Sequence, residues 1–211
     1  MEKKIAIIDY GLGNIFSVQQ SFLKVIKDNK FNATVLTTNK LEDIKDSTHI
    51  VLPGQGAFNT CMKGLLNIPG MIGELSKNVV ENKKPFLGIC VGMQLLANIS
   101  YENGKHKGLG WIQGQIKRLP GNNLKLPHMG WNEVQIINNK NSLFGSEKLN
   151  DYYFVHSYYF DCEHKKNIIG ITNYGINFTS FVFKENIYGV QFHPEKSSTQ
   201  GQDLIKNFLT L

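Results

Sequence analysis

The stretch Pro85-Phe86-Leu87-Gly88-Ile89-Cys90-Val91-Gly92-Met93-Gln94-Leu95-Leu96 constrains this chain more than any other. The apolar run after Pro85 reads as a buried strand, and the segment from Gly92 through Gln94 to Ala97 carries helix formers at apolar spacing. Cys90 stands at the corner between them, with Gly88 and Gly92 two residues away on either side. A chain that passes abruptly from strand to helix crowds the backbone at the corner. Flanking glycines relieve that crowding, as they do around the serine of a nucleophile elbow. The corner also places a thiol over the N-terminus of the next helix, where free N–H groups favour a thiolate and can receive an oxyanion. The opposing reading is an ordinary buried cysteine.

Around this corner, strands and helices alternate through the first half. Lys4–Asp9 reads as a strand, followed by a loop with Gly11 and Gly13. A helix comes next, capped by Asn14 and carrying Ile15, Val18, Phe22, Val25 and Ile26 at helical spacing. The strand–glycine–helix pattern hints at a dinucleotide site, but the third glycine of that fingerprint is missing. Ala33–Leu36 and His49–Leu52 are further strands, the latter entering Pro53-Gly54-Gln55-Gly56-Ala57-Phe58. Two glycines around one residue allow successive N–H groups to face a concave site, or simply make a turn. Gly70–Asn82 reads as a helix. Such alternation predicts a parallel sheet covered by helices on both faces, with ligands at the carboxyl ends of its strands. From about Gly110 the pattern changes to short β-prone runs: Gln115–Arg118, Glu133–Ile137, Tyr152–Val155, Ile168–Thr172, Phe181–Phe183 and Tyr188–Gln191. These predict antiparallel additions to the sheet. Ser198–Leu211 closes the chain as an amphipathic helix, and no linker-like composition divides residues 1–211, which predicts one domain.

A cysteine nucleophile needs a base, and the base needs an orienting acceptor. Of six histidines, His49 and His106 read as surface or strand-edge positions and His164 lies in a polar turn. His193 differs, because it follows the apolar strand Ile187–Phe192, Pro194 bends the chain after it, and Glu195 comes two residues later. On an extended backbone those two side chains point the same way, so a carboxylate can hold one imidazole nitrogen and leave the other for a thiol. The three cysteines are far apart and no Cys-x-x-Cys or His-x-x-x-His pair occurs, which argues against zinc, and nothing calls for a cofactor. An odd, sparse set of cysteines argues for a reducing compartment. The N-terminal apolar run, Ile5–Ile8, is too short for a secretion signal, and no run reaches the roughly eighteen residues of a membrane span. The expected location is the cytoplasm. A net charge of +6 raises nucleic acid as a ligand, but the lysines are scattered, and Lys24, Lys27 and Lys30 read as a solvated helix face.

Gly88–Gln94, taken with His193-Pro194-Glu195, resembles the class I (triad) glutamine amidotransferases. Asp9–Asn14, Leu52–Phe58, Pro127–Asn132, Tyr153–Tyr158 and Gln191–Ser197 narrow the likeness to the glutaminase subunits of imidazole glycerol phosphate synthase, nearly end to end. The resemblance implies a flavodoxin-like fold, a largely parallel central sheet flanked by helices with added antiparallel strands. It implies Cys90 as nucleophile on L-glutamine, His193 as proton relay and Glu195 as its orienter. It implies an oxyanion held by the Val91 N–H and the Gly54–Gln55 loop, and substrate contacts from Gly56, Gln94, Glu102, Ser157 and Tyr158. It implies a heterodimer with a (β/α)8 barrel cyclase/synthase subunit, docking through Gly11, Asn14, Pro127, His128, Met129 and Trp131. For His128 and Trp131 the residues alone suggest core packing, and the interface placement that the resemblance implies is preferred. Gln55 and Val91 depart from the family's usual aliphatic residue and leucine. Histidine biosynthesis is the expected setting. The stretch Tyr101–Trp111 keeps open a related glutaminase serving sugar amidination, and a non-catalytic subunit of the same fold is a further alternative.

Overall fold

The computed structural model describes residues 2–121, 124–138, 143 and 149–211. Five strands form its parallel centre: β1 (Lys3–Ile8), β2 (Ala33–Thr38), β3 (His49–Gly54), β4 (Phe86–Cys90) and, far along the chain, β13 (Ile187–Val190). Their order, β2-β1-β3-β4-β13, is the doubly wound, flavodoxin-like order. β3, β4 and β13 are buried along their whole length, as expected of central strands covered on both faces, whereas the edge strand β2 alternates.

Two helix groups cover the sheet. α1 (Ile15–Asn29) packs on α6 (Ser198–Phe208), and α2 (Leu41–Asp46), α3 (Phe58–Leu66) and α4 (Met71–Ser76) pack together, α4 running on into a π-helical turn at Lys77–Glu81. Sequence periodicity misses α2 and α3, each under ten residues long. It also overstates one cap, because Asn14 closes the start of α1 through its backbone carbonyl, bonded by the Val18 N–H, and not through its side chain.

Four further elements follow Cys90: α5 (Val91–Gln94), β5 (Ile99–Ser100), β6 (His106–Lys107) and β7 (Gly114–Arg118). The expected helix to Ala97 therefore stops at Gln94. The carbonyls of Leu95, Leu96 and Ala97 accept instead from the backbone of Leu109, Ile112 and Gly110 at 2.8–3.1 Å, so the returning chain competes with the helix for them.

The second half adds β8 (His128–Ile136), β9 (Leu149–His156), β10 (Tyr158–Cys162), β11 (Ile168–Tyr174) and β12 (Ile176–Lys184). Five of the six β-prone runs join the sheet as antiparallel additions and most extend beyond the cores visible in sequence, whereas the sixth, Tyr188–Gln191, falls on β13, which pairs in parallel with β4. β12 pairs with β13, carries β10 and β7 outward, and also carries a ribbon of β11, β8 and β9. β9 and β10 are separated by Ser157 alone, so at that residue the chain leaves the ribbon and enters the main sheet. Among the described residues no helix is long and apolar enough to cross a membrane.

Three histidines lie inside this framework. His49 is buried at 3% exposure with its ring edge-on to Phe208, which corrects the surface reading. Burial, aided by Lys3, pushes its pKa down to about 4. His128 and His156 face each other across β8 and β9, and burial pushes both down. Each histidine takes up a proton near pH 6.5 when unfolded, but only at markedly lower pH when folded. In that window the unfolded chain holds more protons, so stability is complete above about pH 6.5 and is lost as pH falls towards 4. Urea unfolding at successive pH values should show a decline of up to about 1.4 kcal/mol per pH unit for each histidine. His49→Phe should make it shallower by that residue's share, and a flat profile in the unaltered chain would contradict the buried neutral assignment.

Candidate active site

The site lies where the sheet topology and the glycine pattern bring three strand ends together. In the β3–β4 register Gly54 stands opposite Cys90 and Pro53 opposite Ile89, and β4 pairs on its other side with Ile89 opposite Val190 of β13. His193 follows three residues later. Cys90 adopts φ 53° and ψ −110°, a left-handed backbone that L side chains rarely take. The sharp corner expected from sequence is therefore present.

Gly92 explains why the corner can exist. A Cβ there would lie 1.9 Å from the Leu52 carbonyl oxygen, and one on Gly54 would lie 2.5 Å from the Gly92 nitrogen. Backbone contacts this close cannot relax by a rotamer change, so α5 settles against β3 only because both positions lack a side chain. With four residues, α5 contributes little macrodipole, and individual N–H groups at the turn matter more than the helix expected to follow.

His193 is buried at 4% exposure, and its Nδ1 lies 2.8 Å from Glu195 Oε1. The pairing matches the sequence reading, but the backbone does not, since Pro194–Lys196 is a 3-10 turn and not an extended segment. The turn is locked in place: the His193 N–H donates to the Tyr153 carbonyl, Ser197 Oγ donates to the His193 carbonyl at 2.6 Å, and the Tyr153 N–H donates to Ser197 Oγ. Burial by itself would lower the imidazole pKa. The neighbouring Cys90, and then the hydrogen-bonded Glu195 carboxylate, overcome it and raise His193 well above its ordinary value. In this geometry Nε2 makes no hydrogen bond to the described residues. Nε2 is thus the nitrogen left for the Cys90 side.

Cys90 and His193 line one cleft of about 280 Å³ with Gln55, Gly56, Val91, Gln94, Glu102, Pro127, Val155, His156, Ser157 and Tyr158. All five expected substrate contacts and two of the three expected oxyanion residues are therefore on its wall, with Gly54 directly behind. Gln94 donates from Nε2 to the Tyr158 carbonyl at 2.9 Å and to Gln191 Oε1 at 3.0 Å. Glu102 Oε2 accepts the Phe58 N–H at the start of α3 at 2.7 Å. Gln191, which sequence reasoning passed over, holds Gln94 through Oε1 and directs Nε2 at Cys90 Sγ, 3.7 Å away. Its only signal was a polar residue inside the otherwise apolar run before His193. His156 was also missed: it lines the cleft and meets the Tyr158 carbonyl through Nδ1 at 2.9 Å.

Of the expected docking residues, Gly11, Pro127, Met129 and Trp131 are exposed and Asn14 is half-buried. His128 is corrected. Its ring is buried between Phe154 and Tyr174, with Nδ1 3.0 Å from His156 Nε2, because alternation along β8 turns His128 inward and Met129 and Trp131 outward. Among the described residues no three His, Cys, Asp or Glu side chains converge as metal ligands.

The class-I glutamine amidotransferase family matches residues 6–211 of the chain. The imidazole glycerol phosphate synthase subunit HisH of Pelagibacter ubique is 46% identical, over 98% of this chain and 99% of its own length. A HisH subunit of Methanococcus maripaludis is 48% identical over 97% and 98%. In fold, the chain superposes on a putative GMP synthase subunit of Thermoplasma acidophilum with TM-score 0.70 at 18% identity, covering 100% and 94% of the two chains. A glutamine amidotransferase of Thermotoga maritima gives TM-score 0.65, also at 18% identity, covering 100% and 84%. The chain belongs to the class I glutamine amidotransferases, a family of enzymes, and within them to the HisH-type glutaminase subunits.

Two glycine substitutions test the geometry in opposite directions. Gly92→Ala should destabilise by about 3 kcal/mol or more, because the new methyl meets backbone. Gly73→Ala, in α4 with open space around it, should stabilise by about 0.5–1 kcal/mol. Guanidinium denaturation measures both, and a neutral Gly92→Ala would contradict the close approach.

Proposed function

We propose that this chain is the glutaminase subunit of an imidazole glycerol phosphate synthase, hydrolysing L-glutamine through Cys90, His193 and Glu195 and delivering ammonia to a (β/α)8 barrel partner for histidine biosynthesis. One observation carries the reaction: a cysteine in a strained corner shares a cleft with a buried histidine whose far nitrogen is held at 2.8 Å by a carboxylate. The setting is supported by near-full-length relatives named as HisH subunits of that synthase.

The steps follow from the placement of these groups. His193 lines the cleft with Cys90, its Nε2 unengaged, and takes the thiol proton, which gives the attacking thiolate and an imidazolium. The thiolate attacks the amide carbon and a C–S bond forms. The charge passes to the former carbonyl oxygen, which meets the Val91 N–H and the N–H groups of the Gly54–Gly56 loop. The imidazolium gives its proton to the amide nitrogen, the C–N bond breaks and ammonia leaves. His193, now neutral, takes a proton from water; the hydroxide attacks the thioester, the C–S bond breaks, and glutamate is released as the imidazolium returns its proton to the thiolate. Glu195 stabilises each imidazolium stage and keeps Nε2 facing the reaction. Both hydrogens on Gln94 Nε2 are already engaged, so Gln94 offers its Oε1 to a substrate N–H. Glu102 supplies the anionic wall for the α-ammonium.

Free ammonia is protonated and diluted in water, so a partner that consumes it is part of the function. Pro127 at the cleft, with Met129 and Trp131 exposed beside it on β8, forms the expected docking face, together with the Gly11–Asn14 loop.

Cys90→Ala should abolish glutamate release while the complex still turns over with ammonium salts. His193→Ala should lose about a hundredfold or more, and Glu195→Gln less. Adding the barrel partner and then its acceptor to the purified chain should accelerate glutamate release stepwise. Full activity in Cys90→Ala would overturn the nucleophile, and indifference to any barrel would overturn the coupling.

A further inference from the structure

The wall of the cleft that carries Gln55 and Gly56 is held from behind by two buried side chains that the triad does not use. Tyr10, 6% exposed, donates its hydroxyl to the Pro53 carbonyl at 2.7 Å. Cys61, fully buried on α3, donates its thiol to the Gln55 carbonyl at 3.4 Å, a normal length for a sulfur donor. The two donors therefore take alternate carbonyls of one loop. Gly64, three residues after Cys61, makes room for this, as a Cβ there would lie 2.7 Å from the Tyr10 ring.

Peptide geometry turns this support into control of the cleft. The Gln55–Gly56 bond is trans, so its N–H points opposite to its carbonyl. A Gln55 carbonyl held against α3 turns the Gly56 N–H towards the cleft that Gly56 lines. Without the thiol, the glycine on its far side leaves that peptide freer to rotate and present its carbonyl to a developing oxyanion.

Resting on the glutaminase reading above, we propose that Tyr10 and Cys61 are positioning residues that set the orientation of the oxyanion loop. Both stay protonated donors through neutral pH, because burial raises each of them above its ordinary value. Tyr10 also belongs to the segment leading into the Gly11–Asn14 loop, and Gly13 packs against Pro53, a Cβ there falling 3.7 Å from the Pro53 carbon. A partner pressing on that loop acts on the same two carbonyls.

The test uses the chain assembled with its barrel partner and compares Cys61→Ala, Cys61→Ser and Tyr10→Phe. Removing a loop donor outright costs about a hundred- to a thousandfold, so loosening it through Cys61→Ala should lower kcat for glutamate release about tenfold. KM for glutamine and the rate of Cys90 alkylation by iodoacetamide should stay within about twofold, since neither needs the oxyanion donors. Cys61→Ser keeps a donor and should recover most of the loss, while Tyr10→Phe should fall in the same direction as Cys61→Ala. Wild-type kcat in Cys61→Ala, or equal loss in the Ala and Ser variants, would overturn the proposal. Absence of glutaminase activity in the unaltered complex, or its persistence in Cys90→Ala, would instead overturn the reading on which it rests.

Discussion

The contact between Gly92 and the Leu52 carbonyl is the constraint on which the site depends. A cysteine at the end of a buried strand is an inert core residue unless the chain turns sharply enough to aim its sulfur at a cleft. That turn requires the backbone after Cys90 to fold back on β3 at a distance no side chain permits. Gly54, Gly88 and Gly92 clear this space from three sides: a Cβ on Gly88 would lie 2.6 Å from the Gly92 carbonyl oxygen. The left-handed backbone at Cys90 is stabilised from outside, by the parallel pairing of β4 with β3 and β13.

Burial acts on four histidines and gives two opposite results. At His49, His128 and His156 desolvation wins, with Lys3 adding to it at His49 and His193 at His156, so they stay uncharged. His193 is as deeply buried as they are, but it stands between the Glu195 carboxylate and Cys90, and these neighbours outweigh burial. The difference is therefore not depth but the charge of the neighbours, in a setting where low dielectric strengthens both effects. The second oxygen of Glu195 is also enclosed, with no hydrogen bond to the described residues. This concentrates the carboxylate's interaction on His193.

The parts of this molecule that local chemistry determines were legible in the sequence. The glycines around Cys90, the Pro after His193 and the full apolar runs of β3, β4 and β13 each act within a few residues. What was not legible depends on distant chain. The helix after Cys90 ends early because Leu109, Gly110 and Ile112 return to claim its carbonyls. His193 and Glu195 meet through a 3-10 turn held by Ser197 and Tyr153, a bond network invisible to a two-residue alternation rule. His128 looked like an exposed docking residue, but the register of β8 with β9 puts it opposite His156. Gln191 carried only the weak mark of a polar residue in an apolar strand.

The break at Ser157 joins these levels. On one side of it β9 belongs to the ribbon whose outer face carries Met129 and Trp131, and on the other side β10 belongs to the main sheet. Inside the ribbon, Asn132 Nδ2 lies 3.1 Å from His128 Nε2, His128 Nδ1 lies 3.0 Å from His156 Nε2, and His156 Nδ1 lies 2.9 Å from the Tyr158 carbonyl. An amide nitrogen can only donate, so both histidines are neutral with the proton on Nδ1, and the chain of donors runs one way, from β8 to the cleft wall. Gln94 Nε2 completes the Tyr158 carbonyl from the other side. The strand that carries Met129 and Trp131 on its outer side and the backbone at the cleft wall are thus joined by an uncharged, hydrogen-bonded path.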